Sequence, residues 1–146
     1  MQRLAASLML ASALVVGGLI PTAYADTAAK AQGKYQLVIQ VTEDNPKLWN
    51  LAFNNAFAFQ RNVGKDNSQI EIVAIGPGLN MLKSESKVTA RIEQALDQSI
   101  DVVACGETMH AMKVTKDDLI GGVRVVPGGL IEIADKQRAG WVYYRP

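Results

Sequence analysis

Three runs of consecutive apolar residues limit what this chain can fold into. They are Leu37-Val38-Ile39 with Val41 close behind, Ile72-Val73-Ala74-Ile75, and Val102-Val103-Ala104-Cys105. A strand with one face in water alternates apolar and polar residues. A run without polar breaks suits a strand covered on both faces. Each run stops at turn-forming residues, namely Asn45-Pro46, Gly76-Pro77-Gly78 and Gly106. Apolar residues at helical spacing then follow, so strand and helix alternate.

This reading places strands at 35–41, 69–75, 101–105, 123–126 and 141–144. Helices are expected over 46–62, 86–98 and 130–138, with short helical segments at 79–82 and 108–113. Asn45 is positioned to cap the first helix, and Pro46 suits its first position. Leu48, Leu51, Ala52, Ala56 and Phe59 form an apolar stripe, which Trp49, Phe53 and Phe57 widen. That excess predicts a second contact, with another subunit. The second helix offers Val88, Ile92, Ala95 and Leu96 to the core, and the last offers Leu130, Ile133 and Ala134. Thr115 and Asp118 have the spacing of a capping box. Alternation with short connections argues an α/β domain, its mainly parallel sheet of about five strands covered by helices on both faces.

The chain has 146 residues, a length that suits one domain, and its formal net charge of +1 provides no field to attract nucleic acid or an anionic surface. Its first residues follow another logic. Arg3 precedes an uncharged apolar stretch from Leu4 to Ile20, and Pro21 to Ala25 ends it with small residues. This three-part pattern is that of a secretory signal peptide, residues 1–25, with cleavage expected after Ala25. Residues 26–34 then form a small, polar lead-in to a domain over 35–146. The mature protein is expected to be periplasmic or secreted, with no membrane association after cleavage. Without Arg3 it carries 14 basic and 14 acidic residues.

The lone cysteine, Cys105, ends the third apolar run and cannot form an internal disulfide. A thiolate is the nucleophile of sulfur chemistry, and a helix beginning just after Gly106 would favour that anion. Free cysteine is also among the most buried residue types, so a core thiol is the rival reading. The glycines after the strands place Gly76, Gly78, Gly106, Thr108, His110 and Gly128 at the same sheet edge as the thiol, as candidates to line a crevice. His110, the only histidine, is a candidate base or cation for Cys105 or an ordinary surface residue. Glu107 would raise the thiol pKa if its charge faced the sulfur. Cys105, Met109, His110 and Met112 are a set that copper(I) would accept, although the methionine spacing fits a helix core equally. The glycine loops match no nucleotide fingerprint. No resident metal or cofactor is expected.

The residues as a set resemble the DsrE/DsrF-like family, and specifically a small exported branch of it. The resemblance rests on Trp49-Asn50-Leu51-Ala52 with Asn54-Asn55, on Glu71 to Leu79, and on Val102 to Gly106 with Met109 and Met112. It continues through Val125 to Gly129 and Gly140-Trp141-Val142-Tyr143. It implies a three-layer α/β/α sandwich and a homo-oligomer, a trimer or hexamer. Cys105 corresponds to the cysteine that carries sulfur as a persulfide in relatives of sulfur-relay and sulfur-oxidation systems. A persulfide carrier exchanging sulfur with an unidentified donor or acceptor protein is therefore the first functional expectation. The alternatives are a non-catalytic assembly or small-ligand-binding module with Cys105 buried, and a soft-metal binder.

Overall fold

The computed structural model describes residues 34–146. The signal peptide and most of the lead-in expected from the sequence lie outside the described residues. No described helix is long and apolar enough to cross a membrane.

Five strands form one sheet: β1 (Tyr35–Val41), β2 (Ser68–Ala74), β3 (Asp101–Cys105), β4 (Arg124–Val126) and β5 (Val142–Tyr144). Their order is β4-β3-β2-β1-β5, and every neighbouring pair is parallel. The helices are α1 (Pro46–Val63), α2 (Thr89–Asp97), α3 (Gly106–Met112) and α4 (Gly129–Arg138). Single 3-10 segments occupy Lys65–Asn67, Gly76–Leu82 and Lys116–Asp118.

The pleat divides the strand side chains between two cores. Leu37, Ile39, Val41, Ile70, Ile72, Ala74, Val102 and Ala104 join residues of α1, α2 and α3 in the larger one. Val38, Val73, Val103 and Val126 meet Ile133 of α4 in the smaller one. Helices on both sides of the sheet make the three-layer α/β/α sandwich expected from the sequence. Chain order explains the arrangement. Strands β1 to β4 march in one direction, and α4 then carries the chain back across the other face to set β5 beside β1.

Local signals act largely as read. Asn45 caps α1, its Oδ1 accepting from the Lys47 N–H at 3.0 Å, and Pro46 opens the helix. The Thr115 N–H donates to Asp118 Oδ2 at 2.7 Å, closing the expected capping box. Gly140, at φ 92°, ends α4, where the Trp141 N–H reaches the Lys136 carbonyl.

The helix faces required correction. Trp49, Phe53 and Phe57 are buried against their own sheet, so their bulk is no signal of a second subunit. Trp49 Nε1 donates to the Glu43 carbonyl at 2.7 Å, which fixes the ring. Leu51, read as part of the stripe, is exposed instead. In α4 only Ile133 of the three expected residues is buried; Leu130 is 66% exposed and Ala134 is also exposed. Helix α2 begins at Thr89, not Ser86. Lys83 bridges to Leu119 just before it, and Ser86 Oγ accepts from the Val88 N–H, so these residues form a lead-in turn. Asn50 and Asn54 accept from the Arg91 guanidinium and tie α1 to α2.

Candidate functional site

Cys105 is the last residue of β3 and also the N-cap of α3, which starts at Gly106 without an intervening loop. Alternation along β3 puts its side chain on the same face as Val103, the face that α4 covers. The residue is 3% exposed. Its Sγ accepts a hydrogen bond from the Gly129 N–H at 3.2 Å. Gly129 is the first residue of α4, so the thiol occupies the position where the positive end of that helix is strongest.

The backbone approaches closely here, and two glycines permit it. A Cβ on Gly129 would lie 2.8 Å from Ile75 Cγ1 and 2.9 Å from Cys105 Cβ. A Cβ on Gly106 would lie 2.9 Å from the Val126 carbonyl oxygen. The Glu107 N–H donates to the Pro127 carbonyl at 3.0 Å, which joins the turn after β3 to the turn after β4. Thr108 completes the frame: its Oγ1 accepts from the Gly76 N–H at 3.0 Å, which leaves the hydroxyl hydrogen for the sulfur.

Burial pushes the Cys105 thiol pKa up, but the opposing hydrogen bonds prevail. The Thr108 hydroxyl and the N–H groups of Gly129, Thr108 and Glu107 favour the thiolate, and the net direction is below the ordinary thiol value. The Glu107 carboxylate is directed toward Gly128, with Oε1 3.7 Å from where a Cβ of that glycine would sit. The Glu107 backbone N–H is among the groups that lower the thiol's pKa.

Of the residues read from the sequence, Gly106 and Thr108 adjoin Cys105, Gly76 donates to Thr108, and Gly128 lies one residue from the amide that bonds the sulfur. Gly78 serves the packing of β1 instead, since a Cβ there would collide with the Val41 carbonyl oxygen at the end of that strand. His110 is exposed on α3. The copper set does not converge, because Met109 enters the larger core while Cys105 faces α4. Among the described residues, no group of three or more His, Cys, Asp or Glu side chains is arranged to hold a metal ion. The donor overlooked in the sequence is the Gly129 N–H. Its signal was the pair Gly128-Gly129 at a strand-to-helix turn, where the second glycine leaves room for a neighbour's side chain.

The sequence profile of the DsrE/DsrF-like family matches residues 24–143. The chain belongs to the DsrE/DsrF-like family. Solved structures share the fold. Protein MTH1491 from Methanobacterium thermoautotrophicum, of unknown function, is 30% identical, with a TM-score of 0.74 over 77% of this chain and 100% of its own. The YchN protein of E. coli is 15% identical, with a TM-score of 0.62 over 78% of this chain and 99% of its own. BT1422 from Bacteroides thetaiotaomicron, a conserved protein of unknown function, is 20% identical, with a TM-score of 0.63 over 75% of this chain and 93% of its own. At these two lower identities the likeness is one of fold. No curated protein matches the sequence.

Proposed function

We propose that this DsrE-like protein is a sulfur carrier that holds sulfane sulfur as a persulfide on Cys105. The observation that carries the reading is the environment of Sγ. The Gly129 N–H at the start of α4 donates to it, the Thr108 hydroxyl favours its thiolate, and its pKa is lowered despite burial. In the forward step the Cys105 thiolate attacks the outer sulfur of a donor persulfide. The donor S–S bond breaks, its inner sulfur leaves as a thiolate, and Cys105 gains one sulfur. An acceptor thiolate then attacks that outer sulfur, and Cys105 leaves as the thiolate. No electrons are gained or lost overall. The same N–H and hydroxyl stabilise the thiolate when it attacks and when it departs.

Burial requires local movement around Sγ before a donor can reach it. The test is intact mass after exposure to a sulfane-sulfur donor, for wild type and Cys105→Ser. One added sulfur in the wild type alone is expected. A native protein that resists both sulfur loading and thiol reagents until it is unfolded overturns the proposal.

The 3% exposure of Cys105 favours a second reading, an assembly or ligand-binding module in which the thiol only caps α4. In that case Cys105→Ser preserves assembly and ligand binding. We further propose that residues 1–25 are an export signal, checked by the N-terminal residue of protein recovered outside the cytoplasm. Finally, we propose a trimer or hexamer, supported by exposed Leu130, Ile131 and Val142 and checked by sedimentation.

A further inference from the structure

Helix α4 carries the amide that bonds Cys105, yet little apolar surface holds it to the sheet. Of its ten residues only Gly129 and Ile133 are buried, while Leu130 and Ile131 are exposed. The rest of its seat is polar. The side chains of Glu132 and Lys136 are mostly covered, 23% and 24% exposed. Arg124 Nη2 donates to Glu132 Oε1 at 3.2 Å, to Glu71 Oε2 at 2.9 Å and to Asp101 Oδ2 at 2.7 Å. Lys136 Nζ donates to the same Glu71 Oε2 at 2.7 Å and rests 4.2 Å from the centre of the Trp141 ring. These contacts tie α4 to β2, β3 and β4.

The strands set out this seat in order. On the face that α4 covers, β2 presents Glu71 and then Val73. By the same alternation β3 presents Asp101, Val103 and Cys105, and β4 presents Arg124 and Val126. Helix α4 returns against the strand direction and meets these rows in reverse. Gly129 stands at Cys105, Ile133 among the valines and Lys136 at Glu71. At about 1.5 Å per residue, Ile133 is about 6 Å along the axis from Gly129 and about 4.5 Å from Lys136. With one buried side chain at its middle, the helix can tilt about Ile133. A shift at the Lys136 end then reaches Gly129 in the opposite sense, enlarged by about a third.

Glu71 is 1% exposed, and its Oε1 has no hydrogen-bond partner among the described residues. Burial raises the pKa of this carboxyl. Its contacts with Lys136 and Arg124 do not need its charge, since a neutral carboxyl also accepts. Buried polar contacts of this kind add little net stability, and their best-attested use is to fix one register between packed elements.

We propose that Lys136 and Glu132, held by Glu71 and Arg124, are positioning residues for Cys105: they seat the far end of α4 and so keep the Gly129 N–H on Sγ. Their part in sulfur transfer rests on the carrier reading; their effect on the thiol does not. The test is a pH titration of the full chain by thiolate ultraviolet absorbance, taken as the difference from the matching Cys105→Ser protein. This readout needs no access to the sulfur. Lys136→Met is the first variant, because Glu71 can take a proton when the cation is lost. Its thiol midpoint should rise by about half a unit as the hydrogen bond to the thiolate weakens. Arg138→Met removes the same charge from the same turn and should leave the midpoint in place. A folded Lys136→Met protein with the wild-type midpoint overturns the proposal. So does an equal rise in Arg138→Met. If Lys136→Met does not fold, Glu132→Gln decides: a raised midpoint is expected, and an unchanged one overturns the proposal. Sulfur loading is read separately by intact mass. A wild type that takes up no sulfur ends the carrier reading and leaves the midpoint comparison standing. Loading with unchanged midpoints ends the positioning role alone.

Discussion

Gly128 and Gly129 are adjacent, yet adding one methyl group to each should have unequal effects. At Gly129 the new Cβ would stand 2.8 Å from Ile75 Cγ1 and 2.9 Å from Cys105 Cβ. Carbon atoms pack best at about 3.5–4.0 Å, so the start of α4 must back away from the sheet by well over half an ångström. Overpacking of this kind costs about 1–3 kcal/mol. The greater helix propensity of Ala offsets up to about 1 kcal/mol of that. The remainder, up to about 2 kcal/mol, corresponds to a fall in Tm of up to about 10 °C for a domain of this size. At Gly128 a Cβ meets nothing nearer than 3.7 Å, and its φ of −137° suits any residue, so Gly128→Ala should melt with the wild type. Retreat of α4 also lengthens the Gly129 N–H to Sγ bond. Gly129→Ala should therefore shift the pH profile of thiol alkylation to higher pH, while Gly128→Ala should not. Thermal melts and alkylation rates against pH measure both effects. The reasoning is refuted if the two variants melt together, or if Gly129→Ala leaves the alkylation profile in place.

Thr108→Val removes the hydroxyl that favours the thiolate and should move the same alkylation profile upward, with the fold intact by circular dichroism. The Cys105 pKa is lowered in the folded chain, so its stabilising contribution is present above the unfolded thiol pKa and is lost as pH falls through the folded one. The urea midpoint of wild type relative to Cys105→Ala should thus rise from neutral into mildly alkaline solution. Phe53, fully buried between α1 and the sheet, should cost about 3–5 kcal/mol as Phe53→Ala, read from urea unfolding. Lys113 sits in the left-handed region at φ 54°, where the Val114 N–H closes the end of α3 on the Met109 carbonyl. Lys113→Gly should raise Tm slightly, since a left-handed L-residue costs about 1–2 kcal/mol and glycine's added backbone entropy cancels only part of it.

The strand–helix alternation was legible because each apolar run ended at residues that end strands. The capping of α1 was legible for the same local reason, since Asn45-Pro46 acts on its immediate neighbours. Two features were not. A strand buried on both faces loses the polar alternation that reports which way each side chain points, so Val102 to Cys105 could not reveal that the sulfur faces α4. Likewise Leu51 and Trp49 are both apolar and lie on the same helix. Which one is buried depends on the angle at which the chain leaves β1, and the bond from Trp49 Nε1 to the Glu43 carbonyl fixes that angle. The Gly129 N–H was hidden for a third reason. It approaches Cys105 from 24 residues away, a distance that periodicity does not span. The family resemblance located the cysteine; the fold supplied the groups that act on it.

The placement of β5 has a consequence for the order of assembly. The other strands add one by one beside their predecessors, but β5 returns to the far edge and pairs Val142 with Leu37 of β1. That edge of the first strand stays open while almost all of the chain is being made. Pairings so distant in sequence form slowly, because the entropy of closing a long loop precedes any gain from contact. Helix α4 is the span that must cross the sheet before this closure, and its first amide is the one that holds Cys105. In a chain still being made, Cys105 is synthesised before the amide that holds it, which lies 24 residues further on.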